Sequence, residues 1–89
     1  MIDFEKAIKN ISNGKDYSYS TDHFIVRITY KNKIIKVRFQ VKGTDIAYKL
    51  EIYNGDPREE ELVETMRLAV SHFMLKFERE MKKEILKWN

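Results

Sequence analysis

Between Phe24 and Ile52 the chain alternates between two sets of side chains at every second residue, three times over. A sheet with one buried face accommodates that rhythm, and a helix does not. Phe24, Val26, Ile28 and Tyr30 alternate with Ile25, Arg27 and Thr29. Ile35, Val37, Phe39 and Val41 then alternate with Lys36, Arg38, Gln40 and Lys42, and Ile46, Tyr48, Leu50 and Ile52 with Ala47, Lys49, Glu51 and Tyr53. Turns are expected at Lys31-Asn32 and at Gly43-Thr44, where a glycine in first position takes a positive φ without steric cost. With those turns Val26 falls opposite Val37 and Phe24 opposite Phe39, while Phe39 falls opposite Tyr48, Val37 opposite Leu50 and Ile35 opposite Ile52. All lie on one face, and a slip of one residue would turn that face to solvent.

Helices are expected on either side of this meander. Phe4, Ala7, Ile8 and Ile11 are spaced for a short amphipathic helix, with Asp3 as its cap and Asn13-Gly14 as its stop. The segment from Lys15 to Thr21, with Tyr17 and Tyr19 between small polar residues, reads as a connection or as the frayed start of a strand. Asp56-Pro57-Arg58-Glu59 matches a helix start: an aspartate N-cap, a proline where its missing N–H is harmless, and a glutamate completing a capping box. Leu62, Met66, Ala69, Val70, Phe73 and Phe77 form the stripe that covers the sheet. An unbroken helix from Pro57 to Trp88 would be about 48 Å long, against about 30 Å for a nine-residue strand. A kink or a free helical extension is therefore expected after about Phe77, where Glu80 and Glu84 interrupt the stripe.

The expected fold class is α+β, in the order α-β-β-β-α, with both helices on one face of the sheet. The 89 residues leave room for one core, so residues 1–89 read as a single domain. Its elements fall near 3–12 (helix), 22–30, 33–42 and 45–53 (strands) and 57–88 (helix).

Several function classes have no support in these residues. The chain has no cysteine, which removes disulfides and thiolate chemistry. The acidic start and the lack of a long apolar run point away from export and membrane spanning, and the expected location is cytoplasmic. There is no glycine-rich phosphate loop, nucleophile elbow or paired-histidine metal motif. His23 and His72 stand alone, and Ser71 beside His72 points about 100° away from it on a helix. The glutamates from Glu59 to Glu64 suit the positive end of a helix dipole. No catalytic residues, metal or cofactor are assigned.

The charge distribution is more informative. Residues 22–53 hold seven basic residues against three acidic ones, although the net charge of the whole chain is only +3. On the second face of the meander Arg27, Lys36 and Glu51 are expected in one cross-strand row and Ile25, Arg38 and Lys49 in the next, with Lys42 and Tyr53 toward the ends. Like charges side by side repel, a cost that folding does not require. Such a face either is a solvated surface that discourages edge aggregation or contacts phosphates or an acidic protein surface. A second candidate surface is the line of Leu68, Leu75 and Leu86 with Trp88, on the helix side away from the sheet. It would meet a partner or a second copy, or be covered by the first helix or the folded-back tail.

The order helix, strands, helix resembles double-stranded RNA-binding domains. Pro57-Arg58-Glu59-Glu60-Glu61 stands where their phosphate-binding lysines would be, so that function does not carry over. Size, element order and an opening helix followed by Lys15-Asp16-Tyr17 resemble small phage-encoded type II-A anti-CRISPR inhibitors. That resemblance implies an accessory protein acting by binding. Those inhibitors mimic DNA with acidic residues and this sheet is basic, so no functional residue is carried over. The expected function is non-enzymatic protein binding, with inhibition of a nucleic-acid enzyme as its narrower form and nucleic-acid binding through Arg27, Lys36, Arg38 and Lys49 as the alternative.

Overall fold

The computed structural model describes residues 2–88, and the side chains of residues 2–80. The first helix, α1, spans Phe4–Ser12. Asp3 has extended backbone angles and its carboxylate accepts from the Lys6 N–H at 3.1 Å, which satisfies one of the donors left open at a helix start. Asn13 closes the helix by donating to the carbonyls of Asn10 and Ile11. The apolar stripe buries Ala7 and Ile11 fully, with Phe4 and Ile8 packed beside them.

Four strands follow, where the sequence pattern predicts three: β1 Tyr17–Ser20, β2 Phe24–Lys31, β3 Ile34–Val41 and β4 Ala47–Tyr53. They form one antiparallel sheet in the order β1-β2-β3-β4. The additional strand, β1, comes from the segment read as a connection or as the frayed start of a strand. Tyr17 and Tyr19 do alternate with Ser18 and Ser20, but four residues are too few for the period to stand out. Tyr17 faces the core, and its hydroxyl accepts from the Asp3 N–H at 3.2 Å, tying α1 to β1.

The β3–β4 register matches the expectation, with Phe39 opposite Tyr48, Val37 opposite Leu50 and Ile35 opposite Ile52. Its turn differs. Gly43, with φ +75°, is the third residue of a turn closed by Thr44 N–H to the Val41 carbonyl, and it does not open a two-residue loop. The Gln40 side-chain amide donates to the carbonyls of Val41, Thr44 and Ile46, clamping this loop.

The β2–β3 register is displaced by two residues from the expected one. Val26 lies opposite Phe39, Phe24 opposite Val41 and Ile28 opposite Val37. The hairpin turns on Asn32 and Lys33, both left-handed with φ 54° and 62°, so its centre falls one residue later than the Lys31-Asn32 turn. Positive φ at both central residues is the tight hairpin geometry that matches strand twist. A displacement of two keeps every side chain on its expected face while changing every partner.

The second helix, α2, spans Glu60–Trp88 and begins three residues later than its sequence signal. Asp56 caps a preceding turn instead. Its carboxylate takes the Arg58 N–H at 2.9 Å and pairs with the Arg58 guanidinium at 3.1 Å. The Glu59 carbonyl then receives the N–H groups of Leu62 and Val63, both at 3.1 Å. At 29 residues the uninterrupted helix is about 43 Å long, longer than any strand beneath it. It accounts for the long dimension of the molecule, whose extents are 47 × 22 × 20 Å.

Both helices lie on one face of the sheet, α1 over β1 and β2 and α2 over β3. Val26, Ile28, Ile35, Val37 and Phe39 lose all solvent contact between the layers, and Met66, Val70 and Phe73 close the core from α2. Leu62, Ala69 and Phe77 complete the predicted stripe from partly buried positions. Aromatic rings join the layers: Phe24 stacks on Phe39 with centroids 4.6 Å apart, Tyr48 on Phe73 at 5.6 Å, and Phe77 meets Phe24 edge-on at 5.7 Å. Full burial of a side chain such as Phe39 contributes about 1.5–3 kcal/mol, and the partly buried Tyr48 and Phe77 less.

Candidate interaction face of the sheet

The other face of the sheet has no layer over it among the described residues. The corrected β2–β3 register changes its rows. Ser18, Arg27, Arg38 and Lys49 now stand side by side across all four strands. The next row runs Thr29, Lys36, Glu51 and the one beyond it Lys31, Ile34, Tyr53; on the other side lie Ser20, Ile25, Gln40 and Ala47. The expected rows, Arg27 with Lys36 and Ile25 with Arg38, are therefore not formed. Three cations stand in line instead, about 10 Å from first to last at the usual strand spacing.

Arg27, Lys36, Arg38 and Lys49 are all exposed. Lys49 lies 3.6 Å from Glu51. Arg38 donates to the Gln40 side-chain oxygen at 3.1 Å, and neither Arg27 nor Arg38 has a carboxylate partner among the described residues. Ile25, Arg27, Arg38 and Gln40 line a shallow depression of about 170 Å³. Lys42 is exposed too, but in the β3–β4 turn rather than in the row. Lys31 and Ser18 belong to the face and were missed by sequence reasoning. A turn at Asn32-Lys33 would have brought in Lys31, whose position in the alternation matches Arg27.

Tyr53 is 63% exposed, and its hydroxyl donates to a Glu51 carboxylate oxygen. That hydrogen bond, helped by Lys49 and Lys36, holds the Glu51 carboxyl below its ordinary range, and the same contact pushes the Tyr53 phenol up. The tyrosine is thus held against an acid within the basic patch.

On α2, Leu68 and Leu75 are 62% and 56% exposed, so α1 does not cover them. The side chains of Leu86 and Trp88 lie outside the described residues. Between α1, the strand ends and α2 runs a groove of about 610 Å³, lined mainly by Ile2, Phe4, Phe24, Val70 and Met74. Its polar lining, Thr21, His23, Arg67 and Ser71, lies at or near the surface. Among the described residues no three His, Cys, Asp or Glu side chains gather as a metal site would require, and no helix is long and apolar enough to cross a membrane. The Lys15-Asp16-Tyr17 motif contains a core residue, Tyr17, whose position the fold itself explains. No protein-family model, curated protein or solved structure matches the chain.

Proposed function

We propose that the protein is a non-enzymatic binding module that applies the open face of its sheet to an acidic protein surface. The Arg27–Arg38–Lys49 row carries this reading: three like charges are held side by side on a face that gains nothing from them in folding. The surroundings favour a protein over a nucleic acid. Ile25 and Ile34 are half-buried among the cations, Glu51 sits in the adjoining row, and the single aromatic side chain that the described residues place on the face is tied to that glutamate. Arginine mixed with apolar and hydrogen-bonding groups is the composition of protein interfaces. A single-strand binder needs several free aromatic platforms.

The resemblance to phage-encoded inhibitors supports a narrower form, in which the partner is a nucleic-acid enzyme. A basic sheet would then sit on an acidic region of that enzyme rather than in its DNA channel. Binding to nucleic-acid backbone is the second reading, favoured by the absence, among the described residues, of a carboxylate beside Arg27 and Arg38.

Affinity capture from the native host, run in parallel with wild type and the Arg27→Glu/Arg38→Glu variant, tests the leading form. An acidic protein retained by the first and lost by the second supports it. Titration with duplex DNA and with RNA tests the second reading. Affinity that falls steeply with salt and vanishes in the variant would replace the protein reading with it. A variant that keeps every interaction of wild type removes both.

A further inference from the structure

The side of α2 away from the sheet carries, in order, Glu64, Leu68, His72, Leu75 and Arg79, all exposed. Their separations of three and four residues keep them on one side of the helix. The arrangement is symmetric in apolar character and antisymmetric in charge about a point between Ser71 and His72. The leucines lie equally far on either side of that point, and beyond them an acid and a base lie equally far out. Rotating a second copy by a half-turn about that point sets Leu68 against Leu75 and Glu64 against Arg79, twice over.

We infer that this face is the interface of an antiparallel homodimer, in which α2 packs on the partner's α2 around a two-fold axis near Ser71 and His72. Self-complementarity under a half-turn is what an isologous interface requires, and an unrelated partner would impose no such relation on one helix. Antiparallel helices also oppose their dipoles favourably. Within the chain Glu64 lies 3.7 Å from Arg67, an exposed contact weak enough to yield to a partner. Among the described residues two leucines per chain make a narrow apolar strip. The dimer is therefore weak, with a dissociation constant on the order of micromolar to tens of micromolar. This inference is independent of what the sheet binds.

Sedimentation equilibrium over a wide concentration range tests it with charge swaps at exposed positions, circular dichroism checking that each variant is folded. Glu64→Arg and Arg79→Glu should each weaken self-association by about tenfold or more, because each sets like charges against each other. An equimolar mixture of the two single variants should form a heterodimer, since both of its charge pairs are then opposite, and the double swap in one chain should restore the homodimer. The lack of cysteine supplies a second readout: His72→Cys, next to the axis, should cross-link to itself on oxidation, and Ser18→Cys should not. The inference is overturned by a wild type that stays monomeric up to about millimolar concentration. It is equally overturned by a dimer indifferent to Glu64→Arg and to Leu68→Glu, or by swaps whose mixture fails to associate.

Discussion

Two backbone positions show how a single residue sets local structure here. Lys33 holds a left-handed backbone at φ 62°, a conformation that costs an L-residue roughly 1–2 kcal/mol and glycine almost nothing. Lys33→Gly should therefore stabilise the protein by about 0.5–1 kcal/mol in urea unfolding, despite the greater freedom of the unfolded chain. No change, or a loss, would mean that the lysine side chain contributes something the geometry does not reveal. Gly55 is the opposite case. It lies in the connection between β4 and α2, and a Cβ there would lie 2.7 Å from Leu62 Cδ1 and 3.2 Å from Ile52 Cγ2, so the side chains of Leu62 and Ile52 crowd any side chain placed there. Gly55→Ala should cost about 1 kcal/mol, limited because the Leu62 tip can move, and Gly55→Val more. On the open face, the Tyr53–Glu51 contact links two titrations. Tyr53→Phe should raise the Glu51 pKa, and Glu51→Gln should lower that of Tyr53, both readable by NMR. By linkage, the contribution from Glu51 is present above its unfolded pKa and fades as pH falls through its lowered folded pKa. The contribution from Tyr53 is present below its unfolded pKa and fades as pH rises through its raised folded one.

At the scale of elements, what the sequence makes legible follows from how strongly each residue type limits its backbone. Both helices and the buried set from Ala7 to Phe73, Tyr17 apart, follow from periodicity, because a stripe of apolar side chains has only one side to face. The β3–β4 pairing was legible from the strand pattern even though the turn joining the strands was assigned wrongly, because the centre of symmetry stayed in place. The β2–β3 pairing was not legible, since lysine carries no signal for a positive φ and the hairpin centre moved with it. Strand β1 was too short to show its period, and the capping signal at Asp56 was spent on a turn ahead of α2. The register error mattered most for the candidate site, because it hid the Arg27–Arg38 pair. Those two side chains stand directly opposite each other, and such like-charge pairs destabilise a sheet by roughly 0.2–1 kcal/mol. Arg38→Glu should accordingly leave the protein as stable or more stable at low salt, and the gain should shrink as salt screens the pair. The same substitution should abolish binding through the face. Stability lost in step with binding would make the row a structural feature and would count against the proposed function.

For the whole molecule the two surfaces lie on opposite sides of the core, and their combination has a definite geometry. Each chain is a sheet with helices on one face, so pairing through α2 gives the order sheet, helices, helices, sheet. The two basic faces then look outward in opposite directions, roughly 30 Å apart through about three layer spacings. A short anionic chain cannot reach from one to the other, because it would have to run around the edge of the dimer. Linked sites whose geometry forbids simultaneous engagement gain no avidity. Short poly-L-glutamate should therefore bind one per chain, with the same affinity in wild type and in a Leu68→Glu monomer, as read by calorimetry. Long poly-L-glutamate should behave differently, since separate stretches or separate polymers can occupy both faces. Light scattering should rise sharply with wild type, pass through a maximum as polymer is added in excess, and stay flat with Leu68→Glu. Arg27→Glu/Arg38→Glu should suppress both effects. Scattering by Leu68→Glu equal to that of wild type would place the cross-linking contact somewhere other than α2. Tighter binding of the short polymer by wild type than by the monomer would mean that the two basic faces lie on the same side of the dimer, which the layer order forbids.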